Sequence, residues 1–94
     1  MAMSQESADT VALQALAWLA GNDELLPVFL GTTGASAKDL QTRVTDAEFL
    51  LSVLDFLMMD DAWVVGFCDA QGLKYETPMM ARAALPGGEQ VNWT

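Results

Sequence analysis

The sequence predicts an all-α fold: a compact bundle of five or six short helices around one core. Three observations carry this. Glycine and proline cut the chain into apolar pieces of roughly helical length, and helical spacing shows in the stripe Ala37, Leu40 and Val44 and in the polar strip Glu48, Ser52 and Asp55. Helix-start chemistry stands at several of the cuts. With 94 residues and 52% of them hydrophobic, the material suffices for one core. The reading is therefore a single helical domain over residues 1–94, with residues 1–6 and 89–94 frayed.

The first helix is read from about Ser7 to Ala20. Val11, Leu13, Leu16, Trp18 and Leu19 alternate with alanines, and Gln14 is the one strongly polar side chain after Val11. A helix apolar on nearly every side is normally covered on more than one side. Gly21 follows as the residue suited to a left-handed stop. Asn22 is placed to cap a second helix, with Asp23 and Glu24 in its positively polarised first turn and Pro27 shortening or kinking it. Gly31-Thr32-Thr33-Gly34 reads as a loop.

Ser36 opens a third short helix, with Ala37, Leu40 and Val44 as its stripe. Thr45-Asp46-Ala47-Glu48 fits a capping box, in which Thr45 and Glu48 satisfy each other's backbone N–H groups. The run Phe49–Met59 is then the central helix, with Glu48, Ser52 and Asp55 as its polar strip. From Trp63 to Tyr75 two readings stand. The β-branched and aromatic residues fit a hairpin or irregular segment turning at Asp69-Ala70-Gln71-Gly72, while Asp60 and Asp61 before it and Gly72 after it fit a helix. A last helix begins with Thr77 as cap and Pro78 at its first position, runs from Met79 to Leu85, and stops at Pro86-Gly87-Gly88. Leu16, Leu19, Leu30, Leu40, Phe49, Val53, Phe56, Leu57 and Phe67 are expected in the core.

The order of these pieces resembles a family of small uncharacterised, mostly alphaproteobacterial proteins, the domain of unknown function 3572 family. The likeness is carried by Ala15-Leu16-Ala17-Trp18-Leu19-Ala20, by Phe29-Leu30 with Thr33-Gly34, by Phe49-Leu50 and Val53-Leu54-Asp55-Phe56-Leu57, and by Ala81-Arg82-Ala83-Ala84-Leu85-Pro86-Gly87-Gly88. Members commonly have proline at the position of Ala47. The resemblance implies an all-helical fold, which favours helix over hairpin for Trp63–Gly72. It implies no activity, ligand or catalytic residue.

Charge and residue content narrow the function classes. Thirteen Asp and Glu face only Lys38, Arg43, Lys74 and Arg82, a formal net charge of −9. So few scattered cations make no phosphate-binding footprint, and an anionic membrane surface would repel the chain; no nucleic acid and no membrane are expected as partners. Asp55, Asp60 and Asp61 interrupt the one apolar stretch long enough to suggest a membrane span. With no basic, apolar leader and a lone Cys68, the expected location is cytoplasmic.

Histidine is absent, which removes the usual general base and the commonest transition-metal ligand. No zinc or iron–sulfur site can be assembled from one cysteine, and the spacing of Asp55, Asp60 and Asp61 does not follow a calcium loop. Gly31-Thr32-Thr33-Gly34 lacks the Lys-Ser/Thr that would make it a phosphate loop. Cys68 lies among apolar residues beside Asp69, a setting that raises a thiol pKa and suits a small buried hydrophobe. No catalytic residue, metal or cofactor is expected, and the chain is read as not an enzyme.

The favoured function is a non-enzymatic protein–protein interaction or assembly module, since three segments offer more apolar faces than a domain of this size readily hides. A homodimer is the simplest way to cover them, and a basic protein partner could dock on the acidic exterior. The alternative is a carrier of a small apolar ligand in a Met/Trp/Phe-lined pocket. Either reading points to Met58, Met59, Trp63, Phe67, Met79 and Met80 as the candidate interface or pocket.

Overall fold

A computed structural model describes residues 3–88, and these form six helices and no strand. They are α1 (Gln5–Ala20), α2 (Leu25–Thr33), α3 (Asp39–Thr42), α4 (Ala47–Leu57), α5 (Asp61–Gln71) and α6 (Thr77–Ala84). The expected fraying of residues 1–2 and 89–94 lies outside the described residues. Within them, Gln5 and Glu6 are already helical.

Ser4 starts α1 by accepting the Ser7 N–H at 3.1 Å. That cap starts the helix two residues before the expected Ser7, about half a turn. Ala8, Val11, Ala12, Ala15, Leu16 and Leu19 form its buried face, and the alanines let neighbouring helices approach closely. The chain leaves α1 through Gly21 at φ −87°, which is not the expected left-handed stop. Asn22 turns it instead, its Oδ1 accepting the N–H groups of Glu24 and Leu25 at 3.0 and 3.1 Å.

Helix α2 continues through Gly31 to Thr33, where a loop was expected, and ends at Gly34 with φ +75°. Thr33 Oγ1 donates to the Phe29 carbonyl and accepts the Ala35 N–H, holding that exit. The third helix is shorter than its stripe suggests. Ser36 and Asp39 exchange reciprocal side-chain-to-backbone bonds of 2.9 and 3.3 Å, so the reciprocal box is here. At the next start Asp46, not Thr45, is the cap: its Oδ1 accepts the Glu48 N–H at 3.0 Å, while Oδ2 receives Arg43 at 2.9 Å.

Helix α4 is the central element, burying Phe49, Leu50, Val53, Leu54, Phe56 and Leu57. Phe29 from α2 meets Phe49 and Phe56 edge-to-face, with centroids 6.2 and 5.3 Å away. In the ambiguous segment, Trp63–Gln71 are helical as part of α5, and Leu73–Tyr75 after Gly72 form a non-helical connection. Asp60 Oδ1 accepts the Ala62 N–H at 2.8 Å, and Gly72 ends it in the left-handed region at φ +70°. At α6 the cap position is Glu76, without a side-chain bond; Thr77 and Pro78 are the first two helical residues.

Helix α1 packs on α4 and α6, α4 on α6, α2 across α1 and α4, and α5 against α1. The core contains Leu16, Leu19, Phe49, Val53, Phe56, Leu57 and Phe67, as expected, whereas Leu30 and Leu40 are half-buried at its margin. Among the described residues no charged or polar side chain is buried, and no buried side-chain N or O lacks a partner. None of the helices is long and apolar enough to cross a membrane.

Candidate functional site

The six candidate residues do not gather in one place. Met58 and Met59 form the turn just after α4, and Met79 and Met80 lie in the first turn of α6. These two helices pack on each other, and Arg82 Nε of α6 donates to Asp55 Oδ1 of α4. Met59 and Met79 are 66% and 61% exposed, Met80 is exposed and Met58 half-buried. This exposure is high for side chains that the bundle could have covered.

Trp63 and Phe67 belong elsewhere. Phe67 is fully buried and meets the Trp18 ring edge-on at 6.0 Å. Trp63 stacks on Phe56, with centroids 4.8 Å apart and planes inclined by 23°. It lines a depression of about 260 Å³ with Trp18, Asn22, Glu24, Leu25 and Ala62. Met79 lines a separate one of about 220 Å³ with Arg82, Ala83 and Gly88. Both are open to solvent, and they do not merge into one chamber.

A third depression, of about 430 Å³, adjoins the one at Trp63 and shares Trp18, Asn22 and Glu24 with it, adding Ala17, Gly21 and Asp23. Trp18 therefore stands between the two. This surface escaped sequence reasoning because Trp18 reads as one more apolar residue of a core helix. The available signal was Gly66, placed inside α5 where a side chain would meet the Trp18 ring at 3.3 Å. Lacking a Cβ there, α5 settles close over the indole and holds it.

Several titratable groups are occupied structurally. Asp55 pairs with Arg82, whose guanidinium also reaches the Gly88 carbonyl at 3.3 Å. Arg43 holds the Asp46 carboxyl below its ordinary range, chiefly through their hydrogen bond, and its guanidinium lies 5.1 Å from the Phe49 ring centre. Burial pushes the Cys68 thiol up, and the charges of Asp69 and Glu76 push it further. Its Sγ donates to the Lys74 carbonyl at 3.4 Å. Tyr75 donates to Asp69 Oδ1 at 2.8 Å, a bond that raises the phenol's pKa. Among the described residues no three Asp, Glu, Cys or His side chains converge as a metal-binding set.

The model of a family described as "Protein of unknown function (DUF3572)" matches residues 5–88. No curated protein and no solved structure matches the chain.

Proposed function

The chain belongs to the DUF3572 family, and from its surface we propose that it is a non-enzymatic protein–protein interaction or assembly module. The observation that carries this reading is the exposure of the methionines. The core closes without Met59, Met79 and Met80, yet these long apolar side chains stand in solvent, Met59 just after α4 and Met79 and Met80 in the first turn of the α6 helix that packs on it. Exposed apolar side chains support an association surface, and methionine's flexibility lets such a surface adapt to what covers it.

A second copy of the chain is the simplest partner for these methionines, since a two-fold axis would set each methionine surface against its equivalent. The carrier reading gains less support, because the depressions at Trp63 and at Met79 are separate and open. The test is native mass by size-exclusion chromatography with light scattering over a wide concentration range. Expected is self-association that rises with concentration and is lost in Met79→Asp. A chain that stays monomeric at the highest concentration refutes self-association through this surface.

A further inference from the structure

We infer that the cleft between Trp18 and Trp63 is the docking site for an arginine-bearing segment of a partner protein. This rests on the reading of the chain as an interaction module and gives it a second, chemically distinct surface.

Both indoles are held in place before any partner arrives. Trp18 is set by the edge of Phe67 and by the close approach of Gly66, and Trp63 by its stack on Phe56. Both remain half-buried and line the same depression, with Leu25 and Ala62 between them. Fixed indoles with accessible surface suit a planar, weakly hydrated guanidinium, which stacks on aromatic faces more readily than an ammonium does.

Charge selects the same occupant. Glu24 lines both depressions, Asp23 lines the larger one, and Asp60 and Asp61 immediately precede Ala62. All four are exposed, and no Lys or Arg lines either depression. Opposing them are the N-terminal ends of α2 and α5, worth about +0.5 each. Glu24 and Asp23 line the depressions and Asp60 and Asp61 adjoin Ala62 in the chain, so carboxylates outweigh those two half-charges and the surroundings of the cleft are negative. Anions find little there, because Asn22 Oδ1 already takes the Glu24 and Leu25 N–H groups and Asp60 Oδ1 takes that of Ala62. A second copy would bring its own four carboxylates against these, in a chain of net charge −9. A cationic segment meets no such repulsion.

The test is titration of the full chain with a capped Gly-Arg-Gly-Arg-Gly peptide, following the indole N–H signals of Trp18 and Trp63 by NMR. Expected is saturable binding that moves both signals and is tighter than for the matching lysine peptide. Asp23→Asn/Glu24→Gln, both exposed, should weaken it by at least about fivefold, the effect of losing two partly screened charges. The charge-matched control Glu6→Gln/Asp9→Asn lies about 13–18 Å away along α1, beyond a Debye length, and should leave binding unchanged.

Absence of saturable binding, equal weakening by the control pair, or unmoved indoles would overturn the proposal. Indole shifts that grow with protein concentration alone would also overturn it, by placing a second copy in the cleft. The native mass reports on the exposed methionines independently. Loss of peptide binding with self-association intact defeats this inference alone, and a monomer that binds the peptide defeats only self-association.

Discussion

Phe29 is the sole fully buried residue of α2, and truncating it tests how that helix is attached. The ring is completely covered and meets Phe49 and Phe56 edge-to-face at 6.2 and 5.3 Å. Leu25, Leu26 and Leu30 only lean on the core from its margin. Phe29→Ala removes the ring from a site walled by α1 and α4, which cannot collapse without moving those helices. Transfer and cavity effects together place the loss at about 3–5 kcal/mol, with the two aromatic contacts included. A domain of this length is ordinarily stable by about 5–14 kcal/mol, so the substitution takes a large share.

The assay is urea unfolding followed by far-UV circular dichroism, with the slope checked for constancy so that the midpoint shift reads as stability. Phe29→Leu, which keeps most of the volume, should cost well under half as much as Phe29→Ala. Amide exchange adds a spatial readout, because in Phe29→Ala the amides of residues 25–33 should open at lower free energy than those of α1 and α4. A loss below about 1 kcal/mol for Phe29→Ala would refute the reasoning, since buried aromatic truncations do not cost so little where the surrounding helices are rigid.

Two further predictions concern titratable groups. Thr45→Ala should leave thermal stability nearly unchanged while Asp46→Ala lowers the melting temperature, because Asp46 alone caps α4 and pairs with Arg43. The Asp46 carboxyl titrates below its unfolded value, so its contribution is present above that value and is lost as pH falls through the folded one; acid melting of Asp46→Asn should be flatter in that window. Cys68 shifts the other way. Its thiol is raised in the fold, so stability is full below the unfolded thiol's pKa of about 8.5 and falls as pH climbs toward the folded value. Urea midpoints between pH 7 and 9.5 should decline in the natural chain and decline less in Cys68→Ala.

The helical plan was legible because punctuation and periodicity agreed over most of the chain. The central helix is legible from its spacing and start signal, though it runs Ala47–Leu57 and stops two residues before Met59, and Gly72 ends α5 in the left-handed conformation glycine allows. Boundaries were less legible where adjacent residues compete for one role. Thr45 and Asp46 can each cap α4; what decides is Arg43, which draws the Asp46 carboxylate into position from three residues upstream. In α5, Val64, Val65 and Trp63 favour strand by local preference, and packing against α1 with an Asp60 cap overrides it. Of the six candidate residues, Met58 and Met59 follow α4 and Met79 and Met80 open α6, while Trp63 and Phe67 pack elsewhere. The Trp18–Trp63 cleft was not legible, because residues 45 positions apart meet only through tertiary packing.

Gly66 links the fold to that cleft. Glycine inside an exposed helix costs roughly 1 kcal/mol against alanine, so its place in α5 needs a compensating gain. The gain is contact: a Cβ at Gly66 would stand 3.3 Å from Cζ2 of Trp18, closer than ordinary van der Waals separation. Helix α5 buries only Phe67 and Cys68 and packs mainly on α1, so its position depends on that close passage. Moving α5 outward by a few tenths of an ångström would loosen Trp18 and shift Trp63 relative to it. The same glycine that permits a thin helix interface therefore sets the spacing of the two indoles, and with it the geometry a guanidinium would meet.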